Sequence, residues 1–502
     1  MIRIARRIAM SAALVAALGV PALAQQVVVR DIGPGAPGRI VRSALAGPHR
    51  LYAPGTGTVH LERDSAFAGT VIVVGRDVTV ASHVSGDVIV VGGNLFVRPG
   101  AQVDGRAVAI GGGAYGSLLG IVRGGLVSFR DETFLAQQLA DGSYALDYRR
   151  VRNDESPPVT LPGFFGIALP AYDRVDGLSL AFAPLLTLKD YSVQVEPRLT
   201  WRTNLGAIDP EVEVNAQPSR RDRVRLVAGR TTLTNDGWIY SDILNSASTL
   251  GLGIDTRNYW RADRAEITAH HLMETATLSL EPYIGVRVER ATSVGPDSNA
   301  TGGPFTILGR KDKKTRILRP NPAIDRGQVG SLLFGVAHEW NAQGLRSTGT
   351  LAGEVIGQAP GSRRATQVTY NGSIGFPTFG MQRLDVDLHG VLTLGDTAPR
   401  QRWAYLGGSG TLPLLDLLQE GGDQLVFVNS QYLVPIPNFD LKFLGQPSIS
   451  LLHAIGGAAV RRAPTLDQMI GVRLAISFVR VQYIRDPNSG RGEFGVGLSL
   501  TR

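Results

Sequence analysis

From Arg174 to Arg502 the chain alternates apolar and polar residues over strand-length segments, and this period of two limits the fold more than any other feature. Residues i, i+2 and i+4 share one face of a strand. Leu178, Leu180 and Phe182 alternate with Ser179 and Ala181; Leu384, Val386 and Leu388 alternate with Asp385, Asp387 and His389; Phe494, Val496, Leu498 and Leu500 alternate with Gly495, Gly497 and Ser499. A soluble sandwich shows the same alternation. Here, however, the segments often run to about nine residues or more, the length a tilted strand needs to cross a bilayer. Their polar faces carry Arg, Asp, Glu and His, as a water-filled lumen permits. A bilayer admits only helices or closed barrels, because every backbone polar group must be paired internally.

The N-terminus points to the same compartment. Arg3, Arg6 and Arg7, the short apolar run Ile8–Val20 and the end Pro21-Ala22-Leu23-Ala24 read as a secretory signal over residues 1–24. No later apolar run is long enough for a spanning helix. With no Cys, the chain has no disulfides, no lipoprotein acylation site and no thiolate chemistry. The net charge is +8 and only five of the basic residues are Lys. An exported chain has little access to nucleic acid, so lumen-facing arginine or contact with acidic lipopolysaccharide explains the charge better.

Residues 25–55, rich in Gly and Pro, read as a linker. Residues 56–115 repeat: Gly69-Thr70-Val71-Ile72-Val73-Val74-Gly75 returns as Gly86-Asp87-Val88-Ile89-Val90-Val91-Gly92 and, more loosely, as Gly105 to Gly111, at intervals of 17 and 19 residues. Short β-branched strands separated by glycine at a near-constant period predict a β-solenoid, whose rungs must stack to bury their apolar faces. No GxxxxGK[ST] accompanies the glycines, which argues against a phosphate loop. The segment resembles the bactofilin-type polymer-forming β-helix. Residues 116–170 read as a connector, with a short helix from Asp131 to Leu139 and a stop at Pro157, Pro158 and Pro162.

Residues 171–502 then hold about 16 strands, an even number as bacterial barrels have. One of them is placed at 247–257, which leaves the preceding connection, 232–246, longer than a periplasmic turn should be. The two longest connections, 291–329 and 396–423, fall on the outer side if the N-terminus is periplasmic. The expected fold is all-β: a transmembrane antiparallel barrel with a small N-terminal β-solenoid.

Within the barrel region several motifs resemble the bacterial surface antigen family, the BamA/TamA-like outer-membrane barrels. Tyr172 to Gly177 (YDRVDG) is similar to the N-R-V-E-G entry of such barrels, Asp255 to Trp260 (DTRNYW) to a D-x-R-x-Y/F strand-to-loop corner, and Arg480 to Asp486 to the penultimate strand. Leu406 to Pro437 resembles the sixth outer loop and the strand after it: Gly407 and Gly408 make the turn, Leu412 belongs to the same loop motif, and Pro413, Leu414 and Leu415 stand where the family carries an R-G-F/Y tip. The resemblance implies a tip that folds into the lumen and an acidic partner in an F-x-D-x-G strand. Here that strand reads through Leu452, Ala454, Gly456 and Gly457, without an Asp. Both halves of the pair are missing together, which is coherent because a buried Arg without its carboxylate costs several kcal/mol. Residues 25–170 show no recognisable POTRA repeats.

No other constellation carries chemistry. His270 and His271 point to opposite faces of a strand and cannot share an ion. Asp385 and Asp387 share a face without a catalytic partner. Lys311, Lys313, Lys314 and Arg316 suit either lipopolysaccharide phosphate or a solvated loop. No enzyme, cofactor or metal is expected. Two functions follow from these residues and the resemblance. One is assembly or translocation of envelope components, with outer-membrane lipid and client proteins as partners. The other is a passive barrel: a narrow pore or a membrane anchor for the solenoid.

Overall fold

A computed structural model describes residues 27–31, 35–63, 65–117, 120–130, 132–141, 143–150, 159–188, 193–219, 221–275, 277–294, 305–309, 318–342, 344–436, 447–476 and 479–498. The signal segment 1–24 and the basic run Lys311, Lys313, Lys314 and Arg316 lie outside them.

The repeat folds as a three-sided parallel solenoid. One face stacks His49–Tyr52, Thr70–Val74, Val88–Val91, Ala107–Ile110 and Leu126–Phe129. A second stacks Val59–Leu61, Val78–Val80, Leu95–Val97 and Ala114–Gly116, and a third Ala66–Phe67, His83–Val84, Gln102–Val103 and Ile121–Val122. Gly75, Gly92 and Gly111 turn equivalent corners with φ of +67°, +72° and +79°, which is why glycine closes each repeat. The run Val71-Ile72-Val73-Val74 is apolar throughout because both sides of this face are covered. Val71 and Val73 point into the solenoid. Ile72 and Val74 point outward, under helix α1 (Ala36–Ala46) and Phe134 and Leu146 of a β-hairpin.

Two expectations are corrected here. The 25–55 stretch is not an unstructured linker: it supplies a strand, Val27–Asp31, then α1 and the first rung. The 131–139 helix is instead strand Glu132–Gln138, paired antiparallel with Tyr144–Arg150. Phe134 is buried and Leu135 exposed, a two-residue period that suits a cover strand. The solenoid itself reaches past 56–115 by a rung at each end.

The second body is a single antiparallel meander that curls around a lumen. Its crossings are β1 (the short pieces Val159–Thr160 and Ala171–Asp173), β2 (Gly177–Phe182 and Leu185–Leu188), β3 (Val193–Arg202), β4 (Ala207–Ala216), β5 (Asp222–Leu233), β6 (Trp260–His271), β7 (Leu278–Ser293), β8 (Gly327–Ala342), β9 (Leu345–Gln358), β10 (Ala365–Pro377), β11 (Arg383–Gly395), β12 (Gln424–Pro435), β13 (Ser448–Ala459), β14 (Asp467–Ile476), β15 (Val479–Arg485) and β16 (Gly492–Leu498). Trp201, Ile208, Ile284, Leu332, Leu392 and Val472 stand on the outer face as exposed apolar side chains, the surface lipid demands. No described helix is long and apolar enough to cross a membrane.

Among the described residues the crossings again number sixteen, with one exchange of members. The strand expected at 247–257 is helix α2 (Asp242–Leu252), with Ser241 as its N-cap and Gly253 as a left-handed C-cap at φ +72°. The crossing in its place is β1, whose prolines and tight turn leave no regular alternation. The long 232–246 connection is thereby explained: it belongs to a loop, 234–259, on the same end as 294–326 and 396–423.

The solenoid sits against the short-turn end. Arg346 reaches Asp87, Arg106 Nη1 lies 2.5 Å from Glu339 Oε1, Arg383 Nη1 donates to Asp104 O at 2.7 Å, and Arg39 pairs with Glu274. Inside the solenoid, Asp104 takes His83 Nε2 at 2.8 Å and Arg123 Nε at 3.0 Å. Burial alone would raise the Asp104 carboxyl; the hydrogen bond from His83 and the Arg123 charge bring it down to about 2. A carboxyl depressed from 3.8 contributes stability that is present above pH 4 and lost as pH falls through 2, here about 2 kcal/mol. Asp104→Asn is therefore expected to weaken hydrogen-exchange protection of segment 83–110 in the full chain at pH 7. In urea titrations the wild-type advantage should vanish at pH 2.

Candidate functional site

The lumen is occupied from both ends, and the long-loop end carries the more elaborate construction. Loops 234–259 and 396–423 fold inward and hold one another: Asn235 Nδ2 donates to Gln401 O at 2.6 Å, and Tyr240 and Ser409 hydroxyls lie 2.6 Å apart. Trp238 stacks on His389 of β11 with ring centroids 4.0 Å apart and 12° between planes, and leans on Phe427 of β12.

Loop 396–423 is the segment whose sequence resembles a lumen-folding tip, and it does enter the lumen. Gly407 and Gly408 adopt φ of +121° and +77°, so the turn needs glycine at both positions. Leu406 and Leu412 are fully buried against Val391, Leu425, Phe427, Met469 and Ile484 of the wall; Leu414 and Leu415 pack on the same cluster and Pro413 faces the cavity below. On β13, Ala454 joins this cluster and Leu452 lines the cavity. Gly456 and Gly457 serve close backbone approach instead: a Cβ would lie 2.9 Å from Val426 O in the first and 1.9 Å from Thr465 O in the second. Tip and partner strand therefore meet through apolar contact.

The loop keeps an ionic anchor at a place the sequence does not advertise. Arg402, 5% exposed, donates from Nε to Glu354 Oε2 at 2.8 Å and sits 2.9 Å from Glu289 Oε1. Arg287 also reaches Glu354, at 2.6 Å. The acidic wall residues belong to β7 and β9, far in sequence from β13. Only a buried carboxylate pair opposite a loop could have revealed this, and that pairing is set by the register of the barrel.

The two entry motifs also converge. Arg174 donates from its backbone and from Nη1 to Asp255 Oδ2, each at 3.0 Å. Asn245 of α2 and Tyr259 donate to Asp255 Oδ1 at 3.1 and 3.0 Å. Asp176 pairs with Arg202, which also reaches Asp209 at 2.5 Å. YDRVDG and DTRNYW are thus two halves of one buried polar cluster that pins loop 234–259 to the start of β2. Beside it, burial pushes the Asp236 carboxyl up to about 7, although Asn258 N–H donates to it and Arg319 is near.

Other singled-out residues disperse. His270 faces the lumen, 3.0 Å from Glu281, while His271 faces outward, 2.8 Å from Asp222. Asp385 is paired with Arg383 at 2.8 Å, and Asp387 accepts from Asn429 Nδ2 at 3.1 Å. Among the described residues no group of three His, Asp or Glu is placed to hold a metal ion.

No family model and no curated protein matches the chain. Among solved structures it is similar to BamA from Haemophilus ducreyi lacking POTRA domains 1–3, with TM-score 0.43 and 11% identity over 73% of this chain and 75% of that one. It is also similar to CdiB from Escherichia coli (TM-score 0.40, 9% identity, 73% of this chain and 66% of that one) and CdiB from Acinetobacter baumannii (0.38, 9%, 73% and 64%).

Two outcomes are expected. Arg402→Ala leaves Glu289 and Glu354 with Arg287 as their remaining cation and should loosen loop 396–423 by about 3–5 kcal/mol; Leu412→Ala should cost about 2–5 kcal/mol through the cavity it leaves. Protease cleavage within 396–423 of the folded barrel reads both, and Leu414→Ala, at a half-buried site, should do less. Separately, a carboxyl raised from 3.8 to about 7 favours the folded loop when protonated. Its contribution is full below pH 4, declines as pH rises and is gone above 7. Hydrogen exchange of segment 236–258, corrected for intrinsic rates, should follow that decline, and Asp236→Asn should flatten it.

Proposed function

We propose that this chain is an outer-membrane barrel that assembles or translocates envelope components, exported by its N-terminal signal and carrying its solenoid in the periplasm. The observation that carries this reading is the state of the wall at its first edge. β1 follows β2 antiparallel, with Ala171 opposite Ser179, Ile167 opposite Phe182 and Thr160 opposite Leu185. It is broken between those points: Pro162 and Pro170 cannot donate, and residues 163–167 fold into a tight turn with Phe165 at φ +52°. Among the described residues no backbone ladder joins β1 to β16. A short edge with few hydrogen bonds is where an incoming strand can add by β-augmentation. Phe164 and Phe165, 74% and 73% exposed, give this edge an apolar outer surface suited to lipid or to a client strand. Clients would be outer-membrane or secreted proteins, and lipopolysaccharide the surrounding partner.

The alternative is a passive barrel that anchors the solenoid, and the occupied lumen favours this version over a narrow pore. The absence of Cys makes the choice testable. Cysteine pairs placed between Ile167–Ala171 and Glu493–Val496 should form disulfides when the seam is at rest. Locking it should cut outer-membrane protein or secreted-protein levels several-fold, with reductant restoring them. Unchanged assembly in cells with a fully locked seam would leave the anchor as the function.

A further inference from the structure

Between the solenoid and the infolded loops lies a cavity of about 1000 Å³. Its cations are mostly paired. Arg106 has Asp87 and Glu339, Arg346 has Asp87, Arg123 has Asp104 and Arg383 has Asp385. Arg473 of β14 and Arg480 of β15 differ. Arg473 spends its donors on amide oxygens: Nε and Nη2 reach Gln482 Oε1 at 3.1 and 2.9 Å, and Nη1 reaches Gln431 Oε1 at 3.2 Å. Arg480 has no ion pair or hydrogen bond among the described residues. It lies across Gly497 of β16, where a Cβ would come within 3.1 Å of its Nε.

The register places the two together. Arg473 stands opposite Gln482 and Ala475 opposite Arg480, so the arginines are diagonal neighbours on the lumen face, with Cα atoms roughly 7–8 Å apart. Two guanidinium groups side by side, with amides but no carboxylate paired to them among the described residues, leave a local double positive charge facing a cavity. Guanidinium matches the oxygens of a phosphate through paired N–H donors, and a doubly charged oxyanion between the two would neutralise both. We infer that the lumen cavity binds a phosphate group through Arg473 and Arg480, with Gln431 and Gln482 orienting Arg473. The phosphate belongs either to a free ion or to a lipid headgroup. This inference is independent of whether the seam accepts clients.

The test uses the full-length protein in a non-ionic sugar detergent. Calorimetric titration with sodium phosphate, at ionic strength held constant with sodium chloride, should give saturable binding. Arg473→Gln/Arg480→Gln should weaken it at least tenfold; Arg473→Lys/Arg480→Lys should retain part of it. Arg230→Gln, which removes a cation paired with Asp263 on the outer face, should leave it unchanged. A parallel titration with short-chain phosphatidic acid separates the sources: binding of that lipid alone, lost in the same variants, assigns the site to a headgroup, and binding of inorganic phosphate as well shows that the free ion suffices. Heat-modifiable gel mobility reports whether each variant is folded, and the lysine pair keeps the test open should the glutamine pair misfold. Saturation by neither probe, or binding undiminished in a folded charge-removing variant, overturns the proposal.

Discussion

A wall immersed in lipid must pair its backbone within itself, because an unpaired N–H or C=O there costs several kcal/mol. Between β2 and β16 each crossing is joined to the next by an antiparallel ladder. The exposed apolar face and the polar inner face follow from it, since a ladder fixes which residues alternate outward. The requirement is met least well at β1, where prolines and a tight turn leave only scattered pairs with β2. The place where the constraint is weakest is also the first edge of the sheet, and this coincidence makes β1 more than a poor strand.

The second organising demand is charge. A lumen lined with Arg, Asp and Glu is stable where the signs are matched, and most are. Arg402 with Glu289 and Glu354 holds one loop; Arg174 with Asp255, and Arg202 with Asp176 and Asp209, hold the other; Arg346 with Asp87 and Arg106 with Glu339 fasten the solenoid. Such pairs add little net stability over apolar packing but make every single removal costly. They therefore specify where the loops and the solenoid sit. At the loop tip apolar packing by Leu406 and Leu412 takes over the role that charge plays at the loop base.

Much of this architecture could be read from the residues. The two-residue period located most crossings, and the glycine-closed repeat located the solenoid, because both patterns are local consequences of strand geometry. The failures are equally physical. Leu250, Leu252 and Ile254 alternate like a strand, yet Ser241 and Gly253 cap a helix over most of that stretch, and local capping overrode the period. Phe134, Leu135 and Leu139 could lie along a helix, but Phe134 is wanted on one side of a cover strand. β1 was missed because its prolines and turn erase the alternation. For the candidate site, the inward loop and its glycine turn were legible, whereas Arg402 was not, since its partners are about 50 and 110 residues upstream.

The amino-acid sequence by itself determined the element types: strands of bilayer length with one apolar face, a stack of glycine-cornered rungs, and glycines where a loop must turn sharply. These depend on period, propensity and backbone freedom, which act over a few residues. Tertiary structure alone decided which charges meet, which carboxylates receive Arg174 and Arg402, that the solenoid closes the short-turn end, and that Arg473 and Arg480 stand together with no acid paired to them among the described residues. Those outcomes depend on the register of the sixteen described crossings around the lumen, and register is a property of the whole wall.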